Sequence, residues 1–392
     1  MNVKNIFDFF LIKNIPKFIR ESLVLLKNIF NFFRRDFKKI TIRQNSVLII
    51  EFASFHGENF PSLTKYLLDL GYNVDIIFRK VKNKGKSRNE LGLFSCFTGD
   101  SRVRVKILSG MDMNLLLRSS IVAIYKHIII VTFNNRMKRN HFYKIDFFKL
   151  KPICMMHNSD NSSNNYFQTS KIISPVKIDC INRKSPPYVV SIHYFGNFPK
   201  KHKSKKTTFV TLNTTDLFRR NLHLLFSACD KLYMKKITNF SVKIIGDGLI
   251  IPKRFHDNFQ VFGFLDFQKM CEEIVESDFF LALIDQASVE YTNKASGSYG
   301  LSYGFLKPIV LHRKFSIVSD FDDENSILYN NNDDLSDAME RCINMSSNDY
   351  STLVCALEIS SKKLYNASMN NLKEVLETPI RCVSTDELLE HE

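Results

Sequence analysis

Apolar residues along this chain follow two alternating rhythms. Short unbroken runs such as SVLIIEFAS (46–54) read as buried strands, since they lack the alternation a half-exposed strand would show. Longer segments between them place apolar residues three and four apart, the helical period. After the first run, HGENFPSLTKYLLDLGYNVDIIF supplies a loop, a helix ending at Gly71 and a second strand. Strand, loop, helix and strand within about thirty residues form a βαβ unit, which implies a parallel sheet. The pattern predicts further strands at Val103–Leu108, His127–Phe133, Ile153–His157 and Lys171–Ile173, and an exposed loop from Arg79 to Glu90.

The segment SPPYVVSIHYFGNFPKKHKSKK (185–206) breaks this rhythm with three prolines and a run of bases. The same grammar then restarts. TTFVTLN reads as strand, DLFRRNLHLLFSACDKLYMKK as amphipathic helix, FSVKIIGDG as strand and turn, and NFQVFGFL as strand. The helix DFQKMCEEIVES, the strand DFFLALI and the corner NKASGSYGLSYGFLKPIVL follow, with helices from Asp333 to about Leu376. The expected organisation is two doubly wound α/β domains in tandem, residues 44–195 and 207–376, joined by a basic linker at 196–206. Residues 377–392 carry four Glu and one Asp and read as a solvated acidic tail.

Residues 1–43 are a separate matter. Ile19, Leu23, Leu26, Phe30, Phe33 and Phe37 lie on one side of a helix, with Lys27, Arg34, Arg35, Lys38 and Lys39 crowding the rest. Charges interrupt the segment too often to leave the roughly 18 uncharged residues of a membrane span, and it lacks the small-residue cleavage site of a signal peptide. Such a stripe serves a helix packed on its own domain or one lying in an anionic membrane interface. Ten Lys/Arg against three Asp/Glu favour the interface. The whole chain of 392 residues carries a formal charge of +15, which attracts nucleic acid, a phospholipid surface or a phosphorylated substrate alike. Much of that excess sits in the tail and linker, and no helix-turn-helix, zinc-finger or RNP-like signature accompanies it, so a nucleic-acid-binding protein is the alternative reading. Eight scattered cysteines without a CxxC pair indicate neither a zinc site nor a disulfide framework and fit a reduced, cytoplasmic setting.

Ligands of parallel sheets bind outside the carboxyl ends of the strands, where loops give way to helix N-termini. The corner after DFFLALI sits at such an end. There Ser296, Gly297 and Ser298 precede a helix running to about Phe305. Glycine admits close backbone approach, the serines add donors and the helix dipole favours an anion, so the corner can hold a phosphate, with Lys294 as countercharge. The same residues also suit a plain helix cap.

The order of RRNLHLLFSACDKL, VKIIGDG and SGSYGLSYGFLKPIVL resembles the nucleotide-sugar-binding domain of GT-B glycosyltransferases, and FHGENFPSLTKYLLDLGYNVDIIF is similar to the opening of their acceptor domain. The resemblance spans about residues 46 to 365. It implies two Rossmann-like domains facing a cleft, a UDP- or GDP-sugar co-substrate held by the second domain, no bound cofactor and no metal. It further implies transfer of a sugar to a growing, lipid-linked bacterial surface glycan, such as lipopolysaccharide O-antigen or capsule, on the inner face of the cell membrane. Arg220 falls where a family lysine contacts the donor phosphates, beside Arg219; Gly246 and Gly248 match the glycine turn, and Ser296, Gly297 and Ser298 the phosphate-facing helix start. Many retaining members carry two glutamates eight residues apart here. Asn293 and Leu301 hold those places in this chain, leaving the stereochemical course open.

Glycosyl transfer requires stabilisation of the diphosphate leaving group, which cationic side chains and helix-end amides supply. Arg219, Arg220, Asn293, Lys294 and the Ser296–Ser298 amides form the candidate donor set. An inverting route also needs a general base. His56 and Glu58 follow the first strand and His157 and Asp160 follow ICMMH, so these four are the candidates. Within the same fold, a nucleotide-sugar epimerase is the alternative enzyme.

Overall fold

The computed structural model describes residues 42–51, 59–79, 92–109, 112–113, 116–117, 119, 122–132, 151–157, 171–177, 186–192, 202–212, 221–246, 251–287 and 296–379. Residues 1–41 of the amphipathic tail, 80–90 of the expected exposed loop, 196–201 of the basic linker and 380–392 of the acidic end lie outside these residues.

The first sheet comprises β1 (Ser46–Glu51), β2 (Asn73–Arg79), β3 (Val103–Leu108), β4 (His127–Ile130), β5 (Ile153–Met155) and β6 (Lys171–Ile173). Its order is β3-β2-β1-β4-β5-β6, and every pair is parallel. The second comprises β7 (Thr207–Leu212), β8 (Phe240–Ile245), β9 (Phe259–Phe262), β10 (Phe279–Leu281), β11 (Ile309–His312) and β12 (Ile327–Tyr329). It runs β12-β11-β10-β7-β8-β9, also parallel throughout, which repeats the topology of the first. Six helices of at least nine residues stand out among the described residues: α1 (Phe60–Asp69), α2 (Leu222–Met234), α3 (Phe267–Val275), α4 (Gly297–Phe305), α5 (Leu335–Asn344) and α6 (Ser347–Glu377). Both sheets are doubly wound α/β units, as the sequence predicts. The strands before Phe133 and His157 stop earlier than their apolar runs, and the residues beyond them line the site described below.

Burial on both faces explains the unbroken apolar runs. Along β1, Val47 and Ile49 join one core cluster while Leu48 and Ile50 join another on the opposite face. The cluster that takes Val47 and Ile49 continues into the second half through Val210, Phe267 and Phe280. Where the halves meet, a Cβ on Gly92 would lie 2.9 Å from Cβ of Phe267, so only glycine permits this approach.

Helix α6 ties the halves together. Its N-terminal part belongs to the second, where the Tyr350 hydroxyl donates to the Asp278 carbonyl at 3.0 Å. Its later turns reach the first: the Val190 amide donates to Ser368 Oγ (3.0 Å), Asn371 Nδ2 to the Tyr188 carbonyl (2.8 Å), and Lys171 Nζ to the Val375 and Leu376 carbonyls. A cation at those carbonyls also complements the helix dipole. Leu372, Val375 and Leu376 are buried in the shared cluster, each contributing about 1.5–3 kcal/mol relative to exposure. Apolar burial therefore outweighs the polar contacts, which set the register.

At the start of β4, burial, reinforced by the charges of Lys171 and Lys126, lowers the His127 pKa from 6.5 to about 4. The unfolded chain therefore takes up a proton at this residue while the folded protein does not. Stability contributed by neutral His127 is complete above pH 6.5 and is lost progressively as the pH falls towards 4. Denaturant unfolding across that range is expected to show the decline, and His127→Phe, which keeps the edge contact with Tyr72, is expected to flatten it.

Candidate donor and acceptor site

Each sheet grows outward from a central pair, β1 with β4 and β7 with β10. In sheets of this order the crevice lies at the carboxyl ends of that central pair. In the first sheet, Glu51 ends β1 with no solvent exposure, and its carboxylate accepts a hydrogen bond from Thr132 Oγ1 just beyond β4. His157, buried beyond β5, points Nε2 at the Val131 carbonyl at 2.7 Å. The carbonyl can only accept, so Nε2 carries a proton and Nδ1 is the basic nitrogen of the neutral ring. His157 thus joins Glu51 and Thr132 at the switch point. His56, Glu58 and Asp160 lie outside the described residues.

In the second sheet the two sides of the crevice are bonded through one side chain. Asn221 caps α2 by accepting from the Leu224 amide at 3.0 Å. Its own amide donates to the Leu283 carbonyl (2.9 Å) and its Nδ2 to Asp285 Oδ2 (2.6 Å). Asp285 Oδ1 in turn accepts from the Ala287 amide at 2.8 Å, closing the turn after β10. Burial and then the Asp285 carboxylate push the Tyr329 phenol, at the end of β12, well above its usual range. Gly246 follows β8 with φ of 147°, and its amide donates to the Phe262 carbonyl at 2.9 Å. This is a backbone conformation that side chains rarely adopt.

Ser296 takes the N-cap position of α4 in extended conformation, and its side chain makes no capping bond to the first turn, which holds no acidic residue. A Cβ placed on Gly297 would meet none of the described residues within 4 Å. Ser298 is buried at 1% exposure. The helix itself is held firmly: the Tyr303 hydroxyl donates to the Ser319 and Asp320 carbonyls at 2.8 Å, its ring stacks on Phe321, and Lys307 Nζ donates to the Val275 carbonyl at 2.7 Å. Leu301, at one of the glutamate places of the retaining pattern, is buried in the apolar core. Arg219, Arg220, Gly248, Asn293 and Lys294 lie outside the described residues.

Glu51, Thr132, Asn221 and Asp285 do not figure among the candidates drawn from sequence. Asn221 does carry a legible signal, an Asn directly before the run LHLLFSACDKL, but the sequence pattern puts the helix start at Asp216, whereas it starts at Leu222 with Asn221 as its cap. The other three are single polar residues at the ends of apolar runs, and only strand pairing brings them to the crevices.

No protein-family model matches the chain, and neither does any curated protein. Solved structures do. A mutant of S. aureus TarM in complex with fondaparinux, α-GlcNAc-glycerol and UDP is 9% identical with a TM-score of 0.59, over 84% of this chain and all of that one. A glycosyltransferase from Rickettsia africae ESF-5 is 12% identical with a TM-score of 0.55, over 89% of this chain and all of that one. An α-glucosyltransferase in complex with UDP and a 13-mer DNA containing an HMU base is 14% identical with a TM-score of 0.55, over 85% and 99%. Such identities carry the fold alone. The chain has the GT-B glycosyltransferase fold of two Rossmann-like domains.

Proposed function

We propose that the protein transfers a glycosyl group from a nucleotide-linked donor, held at the corner of the second sheet, to an acceptor presented over the first. The observation that carries this reading is the acid-free first turn of α4, beginning with Gly297 beside the switch point of β7 and β10. Helix-start amides and a fixed dipole stabilise the charge that grows on a departing diphosphate. Two structures of the same fold contain UDP, which makes UDP the first donor nucleotide to test. Arg219, Arg220 and Lys294 supply the cationic part of the donor set in place of a metal, with Asn293 beside them and Gly246 and Gly248 shaping the turn. On an inverting route His157, His56, Glu58 or Asp160 takes the acceptor proton, and for His157 that role falls to Nδ1.

The acceptor in this reading is a lipid-linked surface glycan at the inner membrane face, and the basic tail is the membrane contact. No helix among the described residues is long and apolar enough to cross a membrane, so attachment rests on the tail's sequence pattern. Removing residues 1–41 is expected to abolish cosedimentation with anionic vesicles, and unchanged sedimentation would refute the membrane part.

UDP, GDP, CMP and dTDP are to be compared by thermal shift, since a ligand of the native state alone raises Tm. A rise with one nucleoside diphosphate is expected. Gly297→Val is expected to leave the unliganded Tm unchanged, because a Cβ there meets none of the described residues within 4 Å. The same substitution weakens nucleotide binding by about 1–3 kcal/mol, the order of a lost buried contact. Unaltered affinity would return the Ser296–Ser298 segment to a plain cap.

Alanine at the true base is expected to lower turnover about 100- to 10,000-fold while sparing nucleotide affinity, because the donor contacts lie in the other domain. Near-normal turnover in His157→Ala, His56→Ala, Glu58→Ala and Asp160→Ala alike would exclude a first-domain base. Nucleotide-sugar turnover with no acceptor present would favour an epimerase, and salt-dependent binding to duplex DNA a nucleic-acid-binding protein.

A further inference from the structure

We infer that Asn221 and Asp285 are a positioning pair for the donor corner, locking the start of α2 to the turn after β10, an inference that rests on the donor reading of that corner. The residue types point this way. A helix N-cap needs only an acceptor, and Ser, Thr or Asp serves as well as Asn. Asp only accepts, and Ser and Thr accept and donate through a single hydroxyl oxygen close to the backbone. Asn divides the two roles between atoms, accepting from Leu224 N through Oδ1 and donating to a carboxylate through Nδ2, and both bonds are present, at 3.0 and 2.6 Å. Asp285 is used as fully. One oxygen holds the Ala287 amide inside its own turn and the other reaches across to Asn221. With the Asn221 amide on the Leu283 carbonyl, one residue fixes the spacing between the segments that flank the switch point. The bond is partly buried and charge-assisted, the stronger class of hydrogen bond. Because Arg219 and Arg220 directly precede Asn221 in the sequence, its placement also constrains where the chain delivers them.

Three variants separate positioning from helix capping. Asn221→Ser keeps the cap acceptor but loses the Nδ2 donor that reaches Asp285, the shorter hydroxyl staying at the helix start. Asn221→Asp keeps the cap but sets two carboxylates against each other. The double variant Asn221→Asp/Asp285→Asn restores the bond with donor and acceptor exchanged, and the new carboxamide oxygen at position 285 still accepts from Ala287. Calorimetry with UDP is expected to show both single variants binding about tenfold or more weakly, the scale of a lost hydrogen bond to a charged group. The double variant is expected to recover most of the affinity, and Asn221→Ser to unfold near the wild-type Tm. Hydrogen exchange over residues 283–287, measured without nucleotide, is expected to rise in both single variants and fall back in the double one. Wild-type affinity in the single variants, no recovery in the folded double variant, or unchanged exchange would overturn the pair. Should the wild type bind no nucleoside diphosphate, the donor reading falls by itself, and the exchange data still decide whether the pair locks the two segments.

Discussion

A parallel sheet built from its centre must reverse its direction of growth once, and both sheets of this protein obey that constraint in the same place. Neighbouring strands need crossovers, and right-handed crossovers send the helices of the two sheet halves to opposite faces. At the reversal the connections part, which in sheets of this order leaves a gap at the strands' carboxyl ends. That gap fixes where chemistry can occur before any side chain is chosen. Glu51 and Thr132 meet there in the first sheet, and Asn221 and Asp285 in the second.

Rigidity around these crevices comes from burial more than from polar bonds. The central strands β1, β7 and β10 are covered on both faces, and one cluster of apolar side chains runs through both halves. Helix α6 extends that continuity by carrying Leu372, Val375 and Leu376 to the first sheet. Charged residues near the surface pair locally, as Lys235 does with Asp337 and Glu340, and contribute little to stability. Polar groups matter where water is excluded: Asp278, fully buried, accepts from the Ser204 amide and hydroxyl and the Thr208 amide.

Much of the fold was legible because central strands such as β1 are buried on both faces and read as continuous apolar runs, and because the partly exposed edge strands β3 and β6 keep enough apolar residues to be recognised. Val103–Leu108 and Lys171–Ile173 form strands over the predicted residues, and α4 ends at Phe305 as expected but starts at Gly297, so that Gly297 and Ser298 form its first turn instead of preceding it. The three-residue β12 was not legible, since so short a run carries no period. The return of α6 to the first sheet was equally invisible, because a helical stripe does not say which surface it covers. For the site, Ser296, Gly297 and Ser298 could be found from the strand-to-helix corner, and Gly246 from the resemblance. The Asn221–Asp285 bond joins residues 64 apart, and nothing in the linear pattern announces such a pairing.

The central claim is that a donor diphosphate sits at the second sheet's reversal point, on the amides that open α4. A crystal structure of the protein with UDP tests this most directly. The diphosphate oxygens are expected within hydrogen-bond reach of the Gly297 and Ser298 amides, with the Leu283–Ala287 turn beside them. A diphosphate seated over the ends of β1 and β4, or away from both crevices, would contradict it.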